Sequence, residues 1–159
     1  MSYLTIKQAI EVIYVGKKLE LDPEDLKRVE ECYHFLEKFS ADKVIYGINT
    51  GFGPMAQWRV EDAYLNDLQY NIIRSHSTGA GEPLGDVEVK GAMLARLGSI
   101  LQGKSGVHPE VPKLLVEFIN RSIIPFIPQH GSVGASGDLC PLAHMVMPML
   151  GLGEAEYQG

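Results

Sequence analysis

The chain has 159 residues, of which 45% are hydrophobic and 21% charged, a balance that supports a globular core and excludes intrinsic disorder. Its formal net charge is −6 with lysines and arginines scattered, which argues against a nucleic acid or an anionic membrane as partner. Two cysteines, Cys32 and Cys140, make neither a disulfide framework nor a metal-ligand pair; with no signal-peptide pattern and no membrane-length apolar run, the expectation is a soluble cytoplasmic protein.

Most of the chain reads as helix. Thr5 and Gln8 form a capping box, Ile6, Ala9, Ile10 and Ile13 line the face of the helix it opens, and Gly16 stops it. Asp22-Pro23 starts a second helix with Leu26, Val29, Tyr33 and Leu36 as its apolar stripe. Val44-Ile45-Tyr46 is too short for a helix and reads as a brief strand or extended lead-in. A helix over about Glu61 to Ile73 carries Tyr64, Leu65, Leu68 and Ile72. The next is capped by Asp86 and carries Val89, Met93, Leu97 and Ile100. Pro109, with His108 as a cap, opens another whose Val111, Leu114, Leu115 and Phe118 face inward. The last starts near Pro141 and fades at Gly151-Leu152-Gly153. The fold class is mainly α with little strand. Met145, Val146, Met147, Met149, Leu150 and Leu152 leave little polar face, which predicts burial in a larger fold or assembly.

Three glycine-rich loops could carry chemistry. The first, Tyr46 to Pro54, lacks dinucleotide spacing and any following Gly-Lys-Ser/Thr, so it is no phosphate cradle; Tyr46, Asn49, Thr50 and Phe52 give it the look of a lid or site loop. The second runs from Ser75 to Leu84. There His76 is either a helix-end histidine bonding free carbonyls or a neutral imidazole for a polar ring on a ligand, and the sequence leaves both open. His34 belongs to a helix surface or its packing, and His130 and His144 flank the third loop as structural or supporting groups, with a role as bases left open.

That third loop, Gly131-Ser132-Val133-Gly134-Ala135-Ser136-Gly137-Asp138-Leu139, is the most informative stretch. It is not a nucleophile elbow, since Asp138 stands where that motif needs glycine. Asp138 as the N-cap of the following helix explains part of it, but not three glycines in seven residues. Cyclisation does: the Gly137 amide nitrogen must reach the Ala135 carbonyl carbon, and only residues of small bulk permit that approach. Loss of water from Ser136 then leaves an electrophile, which no standard side chain supplies.

In these residues the chain resembles the aromatic amino-acid ammonia-lyases and related 2,3-aminomutases. The resemblance rests on Tyr46 to Gly53, Leu68-Gln69, Ser75-His76, Gly103-Lys104-Ser105-Gly106-Val107, Gly131 to Leu142 and Ala143-His144. It implies the mainly helical ammonia-lyase fold, here as an N-terminal, ring-bearing domain over 1–159 with the central helical bundle and C-terminal region elsewhere. It implies methylidene-imidazolone (MIO) formed from Ala135, Ser136 and Gly137, with Asp138 assisting closure, and neither metal nor nucleotide. Tyr46 is the implied base; a phenol with a pKa near ~10 needs help, for which helix N-termini are the expected source. Substrate contacts are implied for Asn49, Gly53, Ser75, His76 and Leu84. Cys140 stands where the family often has a small apolar residue.

The expected reaction is elimination of ammonia from an aromatic L-amino acid, tyrosine to p-coumarate first and histidine to urocanate close behind. An aminomutase, or a non-catalytic fragment or assembly module, is the alternative. The family's homotetrameric, multi-subunit sites predict that this chain alone is inactive and works with the rest of the lyase polypeptide or a companion chain.

Overall fold

The computed structural model describes residues 4–135 and 137–158. Helix α1 (Ile6–Val15) is closed at its start by the predicted box: Thr5 Oγ1 accepts the Gln8 N–H at 3.3 Å and Gln8 Oε1 accepts the Thr5 N–H at 2.9 Å. Its inward stripe is Ala9, Val12 and Ile13. Ile6 and Ile10, expected on that face, are 82% and 49% exposed, because the contact with a later helix rotates the buried line towards Val12. Helix α2 (Pro23–Ser40) starts where Asp22 accepts the Glu24 N–H at 2.9 Å, and it buries Val29 with Leu26, Tyr33 and Leu36 half-buried beside it.

The expected helix from Glu61 becomes a 3₁₀ turn, Asp62–Tyr64, followed by α3 (Leu65–His76). Helix α4 (Asp86–Ile100) has Gly85, not Asp86, at its N-cap; Asp86 is its first helical residue, a place where a carboxylate meets the positive end of the helix dipole. Helix α5 (Glu110–Arg121) has Pro109 at its N-cap, and His108 just before it closes the helix start, its Nδ1 accepting the Glu110 N–H at 3.2 Å. It buries Pro112, Leu115, Val116, Phe118 and Ile119. Val111 and Leu114, expected inside, are exposed instead and border a groove with Leu21 and Met149. Helix α6 (Leu139–Val146) starts two residues before Pro141 and runs into a 3₁₀ turn, Met147–Leu150.

Among the described residues, strand is confined to two antiparallel ribbons. Strand β1 (Ala80–Pro83) pairs irregularly with β3 (Pro128–His130), and β2 (Ile123–Pro125) pairs in register with β4 (Ala155–Tyr157). None was predicted, since three- and four-residue runs interrupted by proline carry no readable alternation. Val44-Ile45-Tyr46 forms no strand; Tyr46 begins a turn, and beyond it Thr50 makes an isolated bridge to Arg59.

The core is centred on α4, whose Val89, Met93 and Leu97 have no solvent exposure and pack with residues of α1, α2, α5 and β2. Asn120 of α5 ties the α1–α2 link down: its Oδ1 accepts the Leu19 N–H at 2.8 Å and its Nδ2 donates to the Leu19 carbonyl at 2.9 Å. Among the described residues no helix is long and apolar enough to cross a membrane. Of the site-bearing elements, α6 contributes Met145 to this core, and α3 packs on α6.

Candidate active site

Tyr46 and the loop that carries it are held by a folded-back backbone. Asn49 is 4% exposed; its Nδ2 donates to the Lys43 carbonyl at 2.7 Å and its Oδ1 accepts the Ile45 N–H at 2.8 Å. The Val60 N–H donates to the Asn49 carbonyl at 2.9 Å and the Gly51 N–H to the Trp58 carbonyl at 3.1 Å, closing a flap over residues 43–60. At its inner edge the Tyr46 hydroxyl accepts the Gly53 N–H at 3.3 Å, and the Tyr46 ring meets Phe52 edge-on with centroids 5.9 Å apart. The amide beside the phenol oxygen therefore opens a short 3₁₀ turn, Gly53–Met55, and not an α-helix.

Tyr46 opens on a cavity of about 570 Å³ whose floor is the α3 face made by Gln69, Ile72, Ile73 and His76 and whose wall is α6 through Leu139, Leu142, Ala143 and Val146. A second cavity of about 290 Å³ adjoins it, bounded by Ser75, His76 and Thr78 on one side and by Gly131 to Ala135 and Gly137 on the other. His76 and Leu139 border both. Tyr46, His76 and the glycine-rich loop, 90 residues apart in sequence at the extremes, thus converge. Gln69, which sequence reading did not assign to the site, also reaches it, with its Nε2 donating to the Gly47 carbonyl at 3.2 Å. Its spacing to Ile72, Ile73 and His76 is the helical period that marks one face.

His76 is the last residue of α3, and it bonds a helix-end carbonyl while bordering both cavities. Its Nδ1 lies 2.7 Å from the Ile72 carbonyl, which can only accept, so Nδ1 carries the hydrogen. Nε2 is then the nitrogen with a free lone pair, and no partner for it is found among the described residues. Ser75 donates to the same carbonyl at 3.0 Å.

In the third loop the Ser132 hydroxyl accepts the Gly134 N–H at 3.3 Å and donates to the Gly137 carbonyl at 3.3 Å, bracing those two glycines. Gly137 has φ +126, a conformation reserved for glycine, with nothing within 4 Å of the space a Cβ would take. Ser136 lies outside the described residues. Asp138 holds the N-cap position of α6 without a capping side-chain bond; its carboxylate instead leans over Gly134, 3.4 Å from where a Cβ there would sit. The backbone on both sides of residue 136 is therefore small, folded back and open to the cavity, which fits a ring closed from Ala135, Ser136 and Gly137.

Two expected substrate contacts are placed elsewhere. Asn49 borders neither cavity, since its amide is spent on the flap; Leu84 packs against the core and donates its N–H to the Ile127 carbonyl at 2.8 Å. Gly53 reaches the site through its N–H on Tyr46. His144 is no free base: its Nε2 accepts the Gly79 N–H at 3.1 Å. Among the described residues no cluster of His, Cys, Asp and Glu could hold a metal ion.

Known proteins are similar to this chain in sequence and in fold. A histidine ammonia-lyase of Streptococcus sanguinis is 43% identical over 158 residues, covering 99% of this chain and 31% of that protein. The structure of a Pantoea agglomerans phenylalanine aminomutase superposes with a TM-score of 0.91 at 33% identity, covering 98% of this chain and 30% of that one. A tyrosine aminomutase from Streptomyces globisporus gives 0.90 at 30%, covering 98% and 29%. The chain spans about a third of the length of the curated relatives it matches. A family model described as aromatic amino acid lyase matches residues 4–159, so the chain belongs to the aromatic amino acid lyase family.

Proposed function

We propose that this chain supplies the ring-forming loop, the base and the ring-binding histidine of a site that eliminates ammonia from an aromatic L-amino acid. The observation that carries the reading is the convergence of Tyr46, His76 and the loop from Gly131 to Gly137 on two adjoining cavities. The family match and the lyase and aminomutase names of its relatives support it.

In this reading the Gly137 nitrogen adds to the Ala135 carbonyl carbon, that carbonyl oxygen leaves as one water, and the Ser136 hydroxyl leaves with its α-hydrogen as a second. The MIO ring so formed supplies an electrophilic alkene carbon for the substrate amine. Tyr46, entering the step as the phenolate and leaving it as the phenol, takes the substrate's β-proton onto the oxygen that the Gly53 N–H holds at the cavity mouth. His76 selects the side chain. With Nδ1–H committed to Ile72, Nε2 accepts a hydrogen bond from a ring N–H or O–H, so histidine and tyrosine satisfy it and phenylalanine leaves it unpaired. Histidine is favoured by the 43% identical relative named for it; tyrosine, first in the sequence reading, is favoured by the tyrosine aminomutase neighbour. The apolar wall of Leu139, Leu142 and Val146 excludes water from the ring. The group that binds the substrate carboxylate comes, in this reading, from the remaining lyase polypeptide or a companion chain in a homo-oligomer.

Intact mass of the assembled protein tests the ring: two water masses below the encoded value are expected, restored to full mass in Ser136→Ala. Full mass in an assembly that turns over substrate overturns it. Incubation with L-histidine and L-tyrosine should release ammonia with urocanate or p-coumarate; a β-amino acid product instead makes the protein an aminomutase.

A further inference from the structure

One polar contact near the cavities takes no part in this chemistry. Gly79, in the link between α3 and β1, donates its N–H to His144 Nε2 on α6 at 3.1 Å. A backbone N–H can only donate, so Nε2 is unprotonated and Nδ1 carries the hydrogen. Burial holds the His144 imidazole below its usual range, which keeps it neutral at pH 7.

The packing around this bond leaves no room for a methyl group. A Cβ on Gly79 would lie 2.9 Å from Pro128 Cγ and 3.1 Å from His144 Nε2. A Cβ on Gly131 would meet the Cys140 sulfur and lie 3.1 Å from the Gly79 Cα. The α3–β1 link, the start of the glycine-rich loop and α6 therefore meet at one point. Each is a short step from the site: Gly79 adjoins Thr78 and follows His76 by three residues, Gly131 opens the loop, and His144 adjoins Ala143.

We propose that His144 is a positioning residue: by accepting the Gly79 N–H it fixes the separation between His76 and the Ala135–Gly137 segment, so that one substrate spans both. This rests on the lyase reading above. A misplacement of about 1 Å, even from a change far from the reacting atoms, can lower turnover about a hundredfold. The bond joins two sides of the cavity and not the ring-forming tripeptide itself, so ring formation should survive its loss.

The test uses the assembled protein with His144→Leu, which fills the space without an acceptor, and His144→Gln, whose amide oxygen replaces Nε2. Leu should keep the two-water mass loss, lower kcat about ten- to hundredfold and speed amide exchange at Gly79. Gln should keep Gly79 slow and recover most of kcat. Parent-like kcat and slow exchange in the Leu variant overturn the proposal, as does equal loss in both variants while both stay folded. Should Leu fail to fold, His144→Asn, whose amide stops short of Gly79, replaces it with the same expected signs. If the parent releases no product from any aromatic amino acid, yet Gly79 is slow in the parent and fast in the Leu variant, the lyase reading is lost and the latch stands.

Discussion

Along α4 every inward position is sealed, with Val89, Met93 and Leu97 at 0% exposure, whereas Tyr46 and Leu139 at the cavity rim are 62% and 52% exposed and Val133 in the glycine-rich loop is 95% exposed. The helix is held by apolar area removed from water. The rim is held by polar braces: Asn49 on Lys43 and Ile45, Ser132 on Gly134 and Gly137, His144 on Gly79. A loop cannot bury enough side chain to fix itself, so its backbone groups are tied by directional bonds whose geometry sets the site. Stability and chemistry are thereby assigned to different residues, and substitutions should separate them.

The largest expected effect is on chemistry alone. Tyr46→Phe removes the phenol oxygen and should lower kcat by about 10²- to 10⁴-fold, the usual worth of a positioned proton acceptor. Its denaturation midpoint should match the parent's, because the side chain is mostly exposed and loses only the bond from Gly53. Retained turnover removes Tyr46 as the base. Leu97→Ala is the converse. At a site with no exposure the lost packing and the cavity should cost about 2–5 kcal/mol by chemical denaturation. The kcat of the protein that remains folded should be unchanged. If Tyr46→Phe destabilises as Leu97→Ala does, core and rim are not separate.

The same division decides what was legible in the sequence. Local signals were read correctly where one side chain satisfies a nearby backbone group: the Thr5–Gln8 box, the Asp22 cap and the His108 cap all depend on neighbours within three residues. Helix faces were read less well. Ile6, Ile10, Val111 and Leu114 are apolar and correctly spaced, but which side of a helix is buried is set by its tertiary partners. The ribbons β1–β3 and β2–β4 were missed because their partners are distant and their runs too short to alternate. In the site, residues with unusual chemistry stood out, whereas Gln69 and Ser132 did not, since their work is to brace backbone through contacts that exist only once the loops have folded. Asn49 is the instructive case: the resemblance implied a substrate contact, and in this chain its buried amide bonds the Lys43 carbonyl and the Ile45 N–H.

Asn49 is also where the comparison should blur. Its side chain lies in a site loop but is buried like the core, so Asn49→Ala should affect both properties. Leaving the Ile45 N–H without an acceptor, and the Lys43 carbonyl without its donor, should cost about 1–3 kcal/mol. The freed flap should also raise KM, because Tyr46 and Gly53 hang from it. A variant as stable as the parent, with unaltered KM, would mean that the bridge from Thr50 to Arg59 and the bond from Val60 hold the flap unaided.

The smallest expected effect is in pH dependence. Burial lowers the folded-state pKa of His144 below the ordinary histidine value of about 6.5, so on acidification the unfolded chain takes up this proton before the folded chain does. The contribution is therefore neutral above about pH 6.5 and becomes destabilising as pH falls through that value, levelling off once the folded imidazole is also protonated. The same proton removes the lone pair that accepts the Gly79 N–H, so loss of stability and loss of the latch should occur together. Urea midpoints at about pH 7.5 and about pH 5.5 separate this from general acid sensitivity. The parent should lose more of its midpoint than His144→Gln, which carries an acceptor that does not titrate, and the protection of the Gly79 amide relative to its intrinsic exchange rate at each pH should fall in the parent alone. Parallel loss in the two proteins would mean that burial does not hold the His144 imidazole neutral, and the rim would then owe its acid sensitivity to other groups.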